Sequence, residues 1–275
     1  MNSMTPPDPV KTKAKTVLVT GAAHRLGAEV VRSFARAGWQ VFLHYAQSER
    51  AAQALAKDLT AAGGHVTCVQ ADLAEADQRQ AMMNEVFSAV GRLDCLVNNA
   101  SLFEPDTADA FTVAQAQSQW TVNMLAPMDL TQIMAQKNAA SAKLNEAASV
   151  IHILDQKVFN LNPDYFSYTL TKLALERAVA LQAQALAPTV RVCGVAPGLM
   201  YLSGPQTQEN FDLSATKNLM GRPIDPRDVA STCLFLASNS AITGVTFAVD
   251  NGQHLFASPR DVMFVAQEQL ESKNI

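Results

Sequence analysis

The stretch that decides the fold reads Thr16-Val-Leu-Val-Thr20-Gly21-Ala-Ala-His-Arg25-Leu-Gly27. Its aliphatic run predicts a buried strand, and the glycines predict a tight turn that leads directly into a helix. Such a turn places backbone N–H groups and the positive end of the helix against a phosphate. The motif is weak evidence by itself, but its position at the first strand–helix junction favours a dinucleotide-binding site. The residues assigned to that site are Gly21, Arg25, Leu26 and Gly27.

The alternation of apolar runs and helical stretches continues along the chain. The predicted strands lie at residues 15–20, 40–44, 65–70, 93–98, 149–154, 190–195 and 244–249. Near-continuous apolar strands separated by helices indicate a parallel sheet covered on both faces. We therefore expect a single-domain α/β fold of the Rossmann type, with a doubly wound parallel sheet of about seven strands. The long irregular stretch at 199–222 is a candidate substrate lid.

Composition narrows the class of protein. The 275 residues carry a formal net charge of −4, which argues against nucleic acid as the main partner. No apolar window of about 18 residues predicts a membrane span. The four cysteines are widely spaced, which predicts free thiols in a reducing cytoplasm and no metal site.

Three segments are expected along the chain. Residues 1–14, rich in proline and lysine, predict a flexible N-terminal tail. Residues 15–257 form the dinucleotide-binding and catalytic domain. Residues 258–275 are a C-terminal extension that either covers a neighbouring subunit's site or is simply exposed.

The end of the second predicted strand bears on the choice of cofactor. His44 and Tyr45 close this strand and are assigned to the cofactor site with Ser48. No Asp or Glu is present here to bind a ribose 2′-hydroxyl, as NAD-preferring sites require. Ser48 and Arg25 can instead contact a 2′-phosphate, which favours NADP over NAD. The alternative is that these are solvated turn residues.

Polar and small residues follow the third and fourth strands. Asp72, next to Leu73, is placed either to accept a hydrogen bond from an adenine amino group or to cap a helix. Asn99, Ala100 and Ser101 follow the fourth strand. The small residues leave room for a nucleotide ribose, and the amides are expected to tie neighbouring backbones together.

Two further candidates lie beyond the fourth strand. Phe103 is expected in a loop over the nicotinamide, where its ring can stack on a flat heterocyclic substrate; a plain loop hydrophobe is the alternative. Asn123 lies inside a helix predicted at 113–137, a position that disfavours asparagine. It either bonds the helix backbone, opens a water site and connects Lys172 to solvent, or it is a solvated side chain.

The catalytic candidates are Asp155, Tyr168 and Lys172. Tyr168 and Lys172 are one helical turn apart and share a face of a helix predicted at 164–186. The lysine is expected to lower the pKa of Tyr168, so that the phenol can pass a proton at neutral pH. Asp155 lies thirteen residues before Tyr168, at the carboxyl end of the fifth strand. Tyr165 has no lysine four residues on and is expected to be a loop or surface residue.

Together these residues resemble the short-chain dehydrogenase/reductase family over about residues 15–256. The glycine turn, the Asn-Asn-Ala run, the mid-helix asparagine, the Tyr168/Lys172 pair and Pro197-Gly198 occur in the family's order. The resemblance implies an NAD(P)-dependent oxidoreductase in which Pro197 and Gly198 contact the cofactor, as do Tyr168 and Lys172. It also implies a homotetramer built on helix-to-helix packing.

Within that family the chain is most similar to the pteridine reductases. It departs from the common pattern as they do, at Arg25 in the turn, at His44-Tyr45, at Ser101 with Phe103, and at Asp155 in place of serine. By this resemblance, Phe103 and the nicotinamide sandwich a pterin ring, and Ser101 and Arg25 hydrogen-bond the substrate or the cofactor phosphate. Asp155, Tyr168 and Lys172 handle the proton. Gln47 stands where these enzymes usually carry arginine, which weakens the inference of NADP.

The predicted reaction is the NADPH-dependent reduction of a pterin or dihydropterin. A carboxylate beside a ketone oxygen would repel the developing oxyanion, whereas a pterin ring offers N–H donors to Asp155. Tyr168, assisted by Asp155 and Lys172, then protonates the nitrogen next to the reduced carbon. The alternative is a generic NADP-dependent carbonyl or alcohol oxidoreductase in which Asp155 is incidental. A third possibility is a dinucleotide sensor without catalytic activity.

Overall fold

A computed structural model of the chain describes residues 14–140, 146–204 and 206–273. In this part of the chain one seven-stranded sheet forms, in the order β3-β2-β1-β4-β5-β6-β7, and all its neighbouring strands are parallel. The strands are β1 (Thr16–Val19), β2 (Gln40–Tyr45), β3 (His65–Gln70), β4 (Cys95–Asn98), β5 (Ala148–Ile153), β6 (Val190–Pro197) and β7 (Thr246–Val249). The predicted α/β fold is confirmed. The predicted tail at 1–14 lies outside the described residues, except for Ala14.

Helices cover both faces of the sheet. They are α1 (Arg25–Arg36), α2 (Glu49–Ala61), α3 (Ala76–Val90), α4 (Val113–Trp120), α5 (Ala126–Ala139), α6 (Phe166–Leu186), α7 (Gln208–Ser214), α8 (Pro226–Ser238) and α9 (Val262–Lys273). Side chains of α1, α2 and α8 pack into one hydrophobic cluster, and those of α3, α5 and α6 pack into another on the opposite face. β1 supplies both clusters: Val17 and Val19 point to the first, and Leu18 points to the second.

The helix predicted at 113–137 is interrupted where Asn123 occurs. A π turn, Thr121–Leu125, separates α4 from α5, so the chain is wider here than a regular α helix. Isolated π turns of this kind are frequent at functional sites. Backbone hydrogen bonds in a π turn span five residues instead of the four of an α helix, which the sequence pattern did not predict.

The stretch at 199–222 was expected to be irregular, but part of it is helical. It contains α7, whose start is capped by Thr207: its hydroxyl accepts a hydrogen bond from the Asn210 backbone N–H at 3.2 Å. A helix of two turns is marginal on its own, and α7 is stabilised by packing against the distant α9. That contact cannot be read from the local sequence.

The C-terminal extension packs against its own chain. Asn210 of α7 donates to the backbone carbonyl of Met263 at 3.0 Å, and Ser214 donates to that of Val262 at 3.3 Å. Val262, Met263 and Ala266 are buried. Of the two alternatives for this extension, a simply exposed tail is therefore wrong for residues 258–273, because α9 packs an apolar side against α7.

Membrane-spanning helices and metal sites are both absent from residues 14–140, 146–204 and 206–273. No helix there is long and apolar enough to cross a membrane. No group of three or more His, Cys, Asp or Glu side chains there is arranged to hold a metal ion.

His152 on β5 is a fully buried polar residue with both ring nitrogens in use. Its Nδ1 lies 3.2 Å from the amide nitrogen of Asn98, and its Nε2 lies 2.8 Å from the amide oxygen of Gln182. These partners require a neutral imidazole, and burial lowers the pKa of His152 to about 4. Because histidine in the unfolded chain titrates near 6.5, its stabilising contribution is complete above about pH 6.5 and is lost as the pH falls toward 4.

We therefore expect His152 to account for about 2 kcal/mol of the free energy of unfolding that is lost between pH 7.5 and pH 5. In His152→Leu that loss should be correspondingly smaller, although the variant is less stable at pH 7.5. Urea unfolding at the two pH values measures the difference, with the exposed His65→Leu as control. An unchanged pH dependence in His152→Leu would contradict the assignment.

Candidate active site

A cavity of about 1180 Å³ lies along the carboxyl ends of the strands. The chain leaves β1 toward β2 on one side and reaches β4 on the other, which is the point where open α/β sheets bind ligands. The assigned residues that line the cavity are Gly21, Arg25, Leu26, Gly27, His44, Tyr45, Ser48, Asp72, Leu73, Asn99, Ala100, Ser101, Phe103, Asp155, Tyr168 and Gly198. The assigned residues Asn123, Lys172 and Pro197 do not line it and are buried.

The glycine turn is held against the end of β4. Thr20 Oγ1 accepts hydrogen bonds from the backbone N–H groups of Asn99 and Ala100 at 2.9 and 3.0 Å. The Asn99 amide donates to the carbonyls of Thr20 and Gly21, both at 3.0 Å. A Cβ atom on Gly21 would lie 2.8 Å from Ala100 Cα, and one on Gly27 would lie 2.4 Å from Gly21 O. Both glycines are therefore needed for this close approach.

His44 supports the turn from behind. Its Nδ1 accepts a hydrogen bond from the Gly21 N–H, and its Nε2 is paired with the carbonyl of Ala71, both at 3.0 Å. Only a neutral ring with its proton on Nε2 satisfies both partners. Burial, the largest influence, lowers the pKa of His44 and favours that neutral form. The N–H groups of Gly21 and Ala22 are thus both used within the protein, since Ala22 donates to the His44 carbonyl at 2.8 Å.

The end of the cavity near β2 and β3 contains few charged side chains. Ser48 is the N-cap residue of α2, and its hydroxyl makes no capping hydrogen bond. Asp72 accepts a hydrogen bond from the Ala74 N–H at 2.9 Å, so it caps a local turn while also lining the cavity. Arg25 has a left-handed backbone (φ +51°), and its guanidinium donates to the carbonyl of Leu202 and lies 5.3 Å from the Tyr201 ring centre. The loop after β6 therefore holds Arg25.

Asp155 and Tyr168 are directly hydrogen-bonded. The phenol of Tyr168 donates to Asp155 Oδ2 at 3.0 Å. The other carboxylate oxygen accepts the Lys157 backbone N–H at 2.9 Å, which fixes the carboxylate at the start of a short 3₁₀ turn, Gln156–Val158. Lys172 donates from its ammonium to the carbonyl of Ile153 at 2.8 Å and lies 5.6 Å from the Tyr168 ring centre.

The expected lowering of the Tyr168 pKa by Lys172 is not found. Burial and the Asp155 carboxylate instead raise the pKa of Tyr168 well above its ordinary value. Lys172 is bonded to a backbone carbonyl rather than to the phenol, and burial lowers the pKa of its ammonium to about 8. Tyr168 accordingly keeps its proton and donates it toward Asp155. This state suits a group that gives a proton to a substrate rather than one that removes it.

Asn123 connects the π turn to the loop after β4. Its amide oxygen accepts from the Leu102 N–H at 2.7 Å and from the Ser101 hydroxyl at 3.1 Å. Its amide nitrogen donates to the Leu102 carbonyl at 2.9 Å and lies 3.3 Å from the hydroxyl of Thr171, the residue before Lys172. Asn123 thus bonds a loop and α6 rather than its own helix backbone. The water path to Lys172 remains a prediction.

An aromatic wall closes the cavity beside Asp155 and Tyr168. Phe103 stacks on Tyr165 with ring centres 4.1 Å apart and planes at 17°, and it meets Tyr168 edge-on at 4.6 Å. Tyr165 is only 4% exposed and has a left-handed backbone (φ +56°). Its interpretation as a loop or surface residue was wrong, because Phe103 and Met263 cover it from distant parts of the chain.

The cavity also contains residues that the sequence analysis did not assign. They include Gln156, Lys157, Tyr165, Tyr201, Gln206, Asp261 and Met263. None belongs to a motif, and Asp261 and Met263 lie in the C-terminal extension. Gln156 and Lys157 directly follow Asp155 at the carboxyl end of β5, and this is the one local signal that could have placed them at the cavity.

A parallel sheet with a glycine turn at its first strand, and an Asp–Tyr–Lys group at the edge of β5, define an NAD(P)-dependent oxidoreductase of the Rossmann type. A family model described as enoyl-(acyl carrier protein) reductase matches residues 21–254. The chain belongs to the short-chain dehydrogenase/reductase family.

Three relatives illustrate the similarity. An uncharacterized oxidoreductase from Methylorubrum extorquens is 33% identical over 250 residues, which cover 88% of this chain and 98% of that protein. The 3-oxoacyl-[acyl-carrier-protein] reductase of a Synechocystis strain is 30% identical over 253 residues, with coverage of 88% and 98%. The crystal structure of FolM Alternative dihydrofolate reductase 1 from Brucella canis, complexed with NADP, superposes with a TM-score of 0.82 at 35% identity, covering 88% of this chain and 94% of that chain.

The role of His44 can be tested through cofactor affinity. His44→Phe removes the acceptor of the Gly21 N–H and should weaken dinucleotide binding about tenfold, the effect of roughly one lost hydrogen bond. Titration of NADPH fluorescence measures the affinity, and circular dichroism checks the fold. The exposed His65→Phe is the control. Equal affinity in the two variants would show that the turn does not depend on His44.

Proposed function

We propose that this oxidoreductase reduces a pterin or dihydropterin with NADPH. One ring C=N bond becomes CH–NH: a ring carbon receives the hydride, and the adjacent nitrogen receives a proton from Tyr168. The observation that carries the proposal is the 3.0 Å hydrogen bond from the Tyr168 phenol to the Asp155 carboxylate. It puts a proton donor and a negatively charged acceptor side by side at the cavity wall.

The residues of the first strand–helix junction fit a dinucleotide. Gly21 and Gly27 leave no room for a Cβ atom, and Ser48 presents a free hydroxyl at the start of α2. A helix start with an uncapped hydroxyl suits a 2′-phosphate, and residues 45–48 contain no acid, the first one being Glu49 in the first turn of α2. The Brucella canis structure contains NADP, which supports the same choice here. When bound, NADPH supplies the hydride.

Cofactor preference is testable at one position. In Ser48→Asp the carboxylate would repel a 2′-phosphate and accept from a 2′-hydroxyl, so kcat/KM for NADPH should fall at least about tenfold while that for NADH rises. Ser48→Asn has nearly the same volume without the charge and is the matched control. Steady-state rates with both cofactors give the ratio. A ratio that changes equally in both variants would argue against a 2′-phosphate at Ser48.

Asp155 favours a pterin over a ketone. A carboxylate within hydrogen-bond distance of Tyr168 accepts hydrogen bonds and therefore complements ring N–H and amino groups. A ketone presents no donor, and its developing oxyanion would meet the charge of Asp155. Burial raises the pKa of Asp155, partly offset by Lys157, so its charge is more easily neutralised than that of an exposed aspartate.

The aromatic wall supports the same substrate class. Phe103 is 38% exposed and lines the cavity, while its ring is held flat against Tyr165. A ring fixed in this way offers a stacking surface to a planar heterocycle. Ser101 lies beside it and is oriented by Asn123. The Brucella canis protein is described as an alternative dihydrofolate reductase, and dihydrofolate contains a pterin ring.

The second candidate is reduction of a carbonyl group. It is favoured by the similarity to the 3-oxoacyl-[acyl-carrier-protein] reductase from Synechocystis. In that case Asp155 has no partner on the substrate, and its replacement by serine should improve turnover rather than reduce it. This opposite sign separates the two candidates.

Assembly and location are part of the proposal as well. Trp120, Met128 and Leu170 are exposed apolar side chains on α4, α5 and α6, which supports a homotetramer built on helix packing. The four cysteines are free thiols, which supports a reducing cytoplasm.

The proposed reaction is tested by NADPH oxidation with dihydrobiopterin, dihydrofolate and a panel of small ketones. Tyr168→Phe should lower pterin-dependent turnover by about a hundredfold or more. Asp155→Ser should lower pterin kcat/KM at least about tenfold and leave NADPH affinity unchanged. Asp58→Ser, on the exposed side of α2, is the control. Turnover of ketones alone, or a gain in Asp155→Ser, would overturn the pterin proposal and leave the family assignment standing.

A further inference from the structure

Residues 258–273, which we name the C-terminal arm, reach the cavity beside the catalytic pair. Asp261, Val262 and Met263 of the arm line the same cavity as Tyr168. Met263 is buried in a cluster with Tyr165 and Tyr168. The wall of the substrate end is therefore built partly by a segment that follows the last strand of the sheet.

The arm is fastened to the segment that leads into α6. Arg260 donates to both carboxylate oxygens of Asp164, at 2.8 to 3.0 Å. The backbone N–H of Asp261 donates to the same carboxylate at 2.7 Å. Two-pronged pairs of this kind are stronger and more directional than single hydrogen bonds. They fix the arm at the point where Asp261 enters the cavity.

Lys157 is the buried cation that joins the arm to the catalytic residues. It is 2% exposed, and its ammonium lies 2.9 Å from Asp261 Oδ2, 2.8 Å from Asn162 Oδ1 and 3.2 Å from Asp164 O. All three donors of the ammonium have an acceptor. The backbone N–H of the same residue holds Asp155. A single residue thus contacts the arm through its side chain and the catalytic carboxylate through its backbone.

We propose that the C-terminal arm is part of the active site and that the Lys157–Asp261 ion pair sets the charge state of Asp155. This inference rests on the proposed role of Asp155 in proton transfer. Lys157 and Asp261 are positioning residues: they act on the substrate through Asp155 and Tyr168. The catalytic unit then extends beyond residue 257, where the sequence analysis ended it.

The charges around Asp155 predict the direction in which each variant should change its pKa. Four ionisable groups act on Asp155: the phenol of Tyr168 by a direct hydrogen bond, and the ammonium groups of Lys157 and Lys172 and the carboxylate of Asp261 by their charges. Burial raises the pKa of Asp155, Lys157 lowers it, and Asp261 raises it. Removing the charge of Lys157 should therefore raise that pKa, and removing the charge of Asp261 should lower it.

The experiment is the pH profile of kcat/KM with dihydrobiopterin and NADPH. Activity that needs ionised Asp155 falls as the pH drops through its pKa. Lys157→Met should move this acid limb up by about one pH unit, and Asp261→Asn should move it down by a similar amount. Lys57→Met and Asp58→Asn, at exposed positions on α2, are matched controls and should leave the acid limb in place.

Arg260→Gln tests whether docking of the arm positions Asp261. It removes the two hydrogen-bonded prongs to Asp164, so it should lower kcat/KM several-fold and move the acid limb in the same direction as Asp261→Asn, by a smaller amount. Hydrogen exchange should be faster in residues 258–273 of this variant. If Lys157→Met and Asp261→Asn lower activity without moving the limb, or move it in the same direction, the pair is only structural and the inference is wrong.

Failure of the proposed function is distinguishable from failure of this inference. If the wild-type protein turns over ketones and no pterin, the pterin proposal fails; ketone turnover should then rise as Asp155 is protonated, and Lys157→Met and Asp261→Asn should move that rise in opposite directions. If the wild type reduces dihydrobiopterin but the limbs do not move in opposite directions, the pterin proposal stands and the arm has no role in the charge of Asp155.

Discussion

The side chains of Thr20 and Asn99 join the ends of β1 and β4 at the point where the winding of the sheet changes direction. Four hydrogen bonds between these strand ends bring the glycine turn against Ala100, with no space for a side chain on Gly21. His44 holds the same turn from the other side, by its bond to the Gly21 N–H. β2, β4 and β5 are aligned with β1 through the sheet. The site residues at the ends of these strands are therefore positioned relative to this junction.

The cavity wall around Asp155 and Tyr168 contains opposite charges. Asp155 and Asp261 are balanced by Lys157 and Lys172, with Tyr168 among them. Isolated ions in such a setting would be unfavourable, because burial removes the water that stabilises them. Lys157 and Asp261 form an ion pair, while Asp155 and Lys172 are held by hydrogen bonds to Tyr168 and to the Ile153 carbonyl. The proton affinity of Tyr168 therefore depends on two carboxylates, Asp155 and Asp261, that come from separate parts of the chain.

Sequence patterns predicted the sheet, and most of the residues they assigned line one cavity, because both follow from local rules. Asp155 and Tyr168 could be expected to meet, since one ends a parallel strand and the other begins the next helix. Tyr165 and the C-terminal arm were not recognised, because their burial depends on contacts with residues nearly a hundred positions away. The direction of the Tyr168 pKa was missed for another reason: spacing on a helix gives proximity to Lys172, but it does not give burial or the hydrogen bond to Asp155.

The π turn at Thr121–Leu125 has a consequence for how this helix tolerates change in length. A π turn is an α helix with one residue inserted, and one residue corresponds to a rotation of about 100°. Deleting one residue there would restore a regular helix and would turn either α4 or α5 about its axis. Leu130 and Met134 would leave the core, or Asn123 would leave Leu102. Insertions and deletions in this helix are thus constrained by the rotation they cause about the helix axis rather than by the change in length. The extra residue allows the same helix to pack against the sheet and to hydrogen-bond the loop after β4.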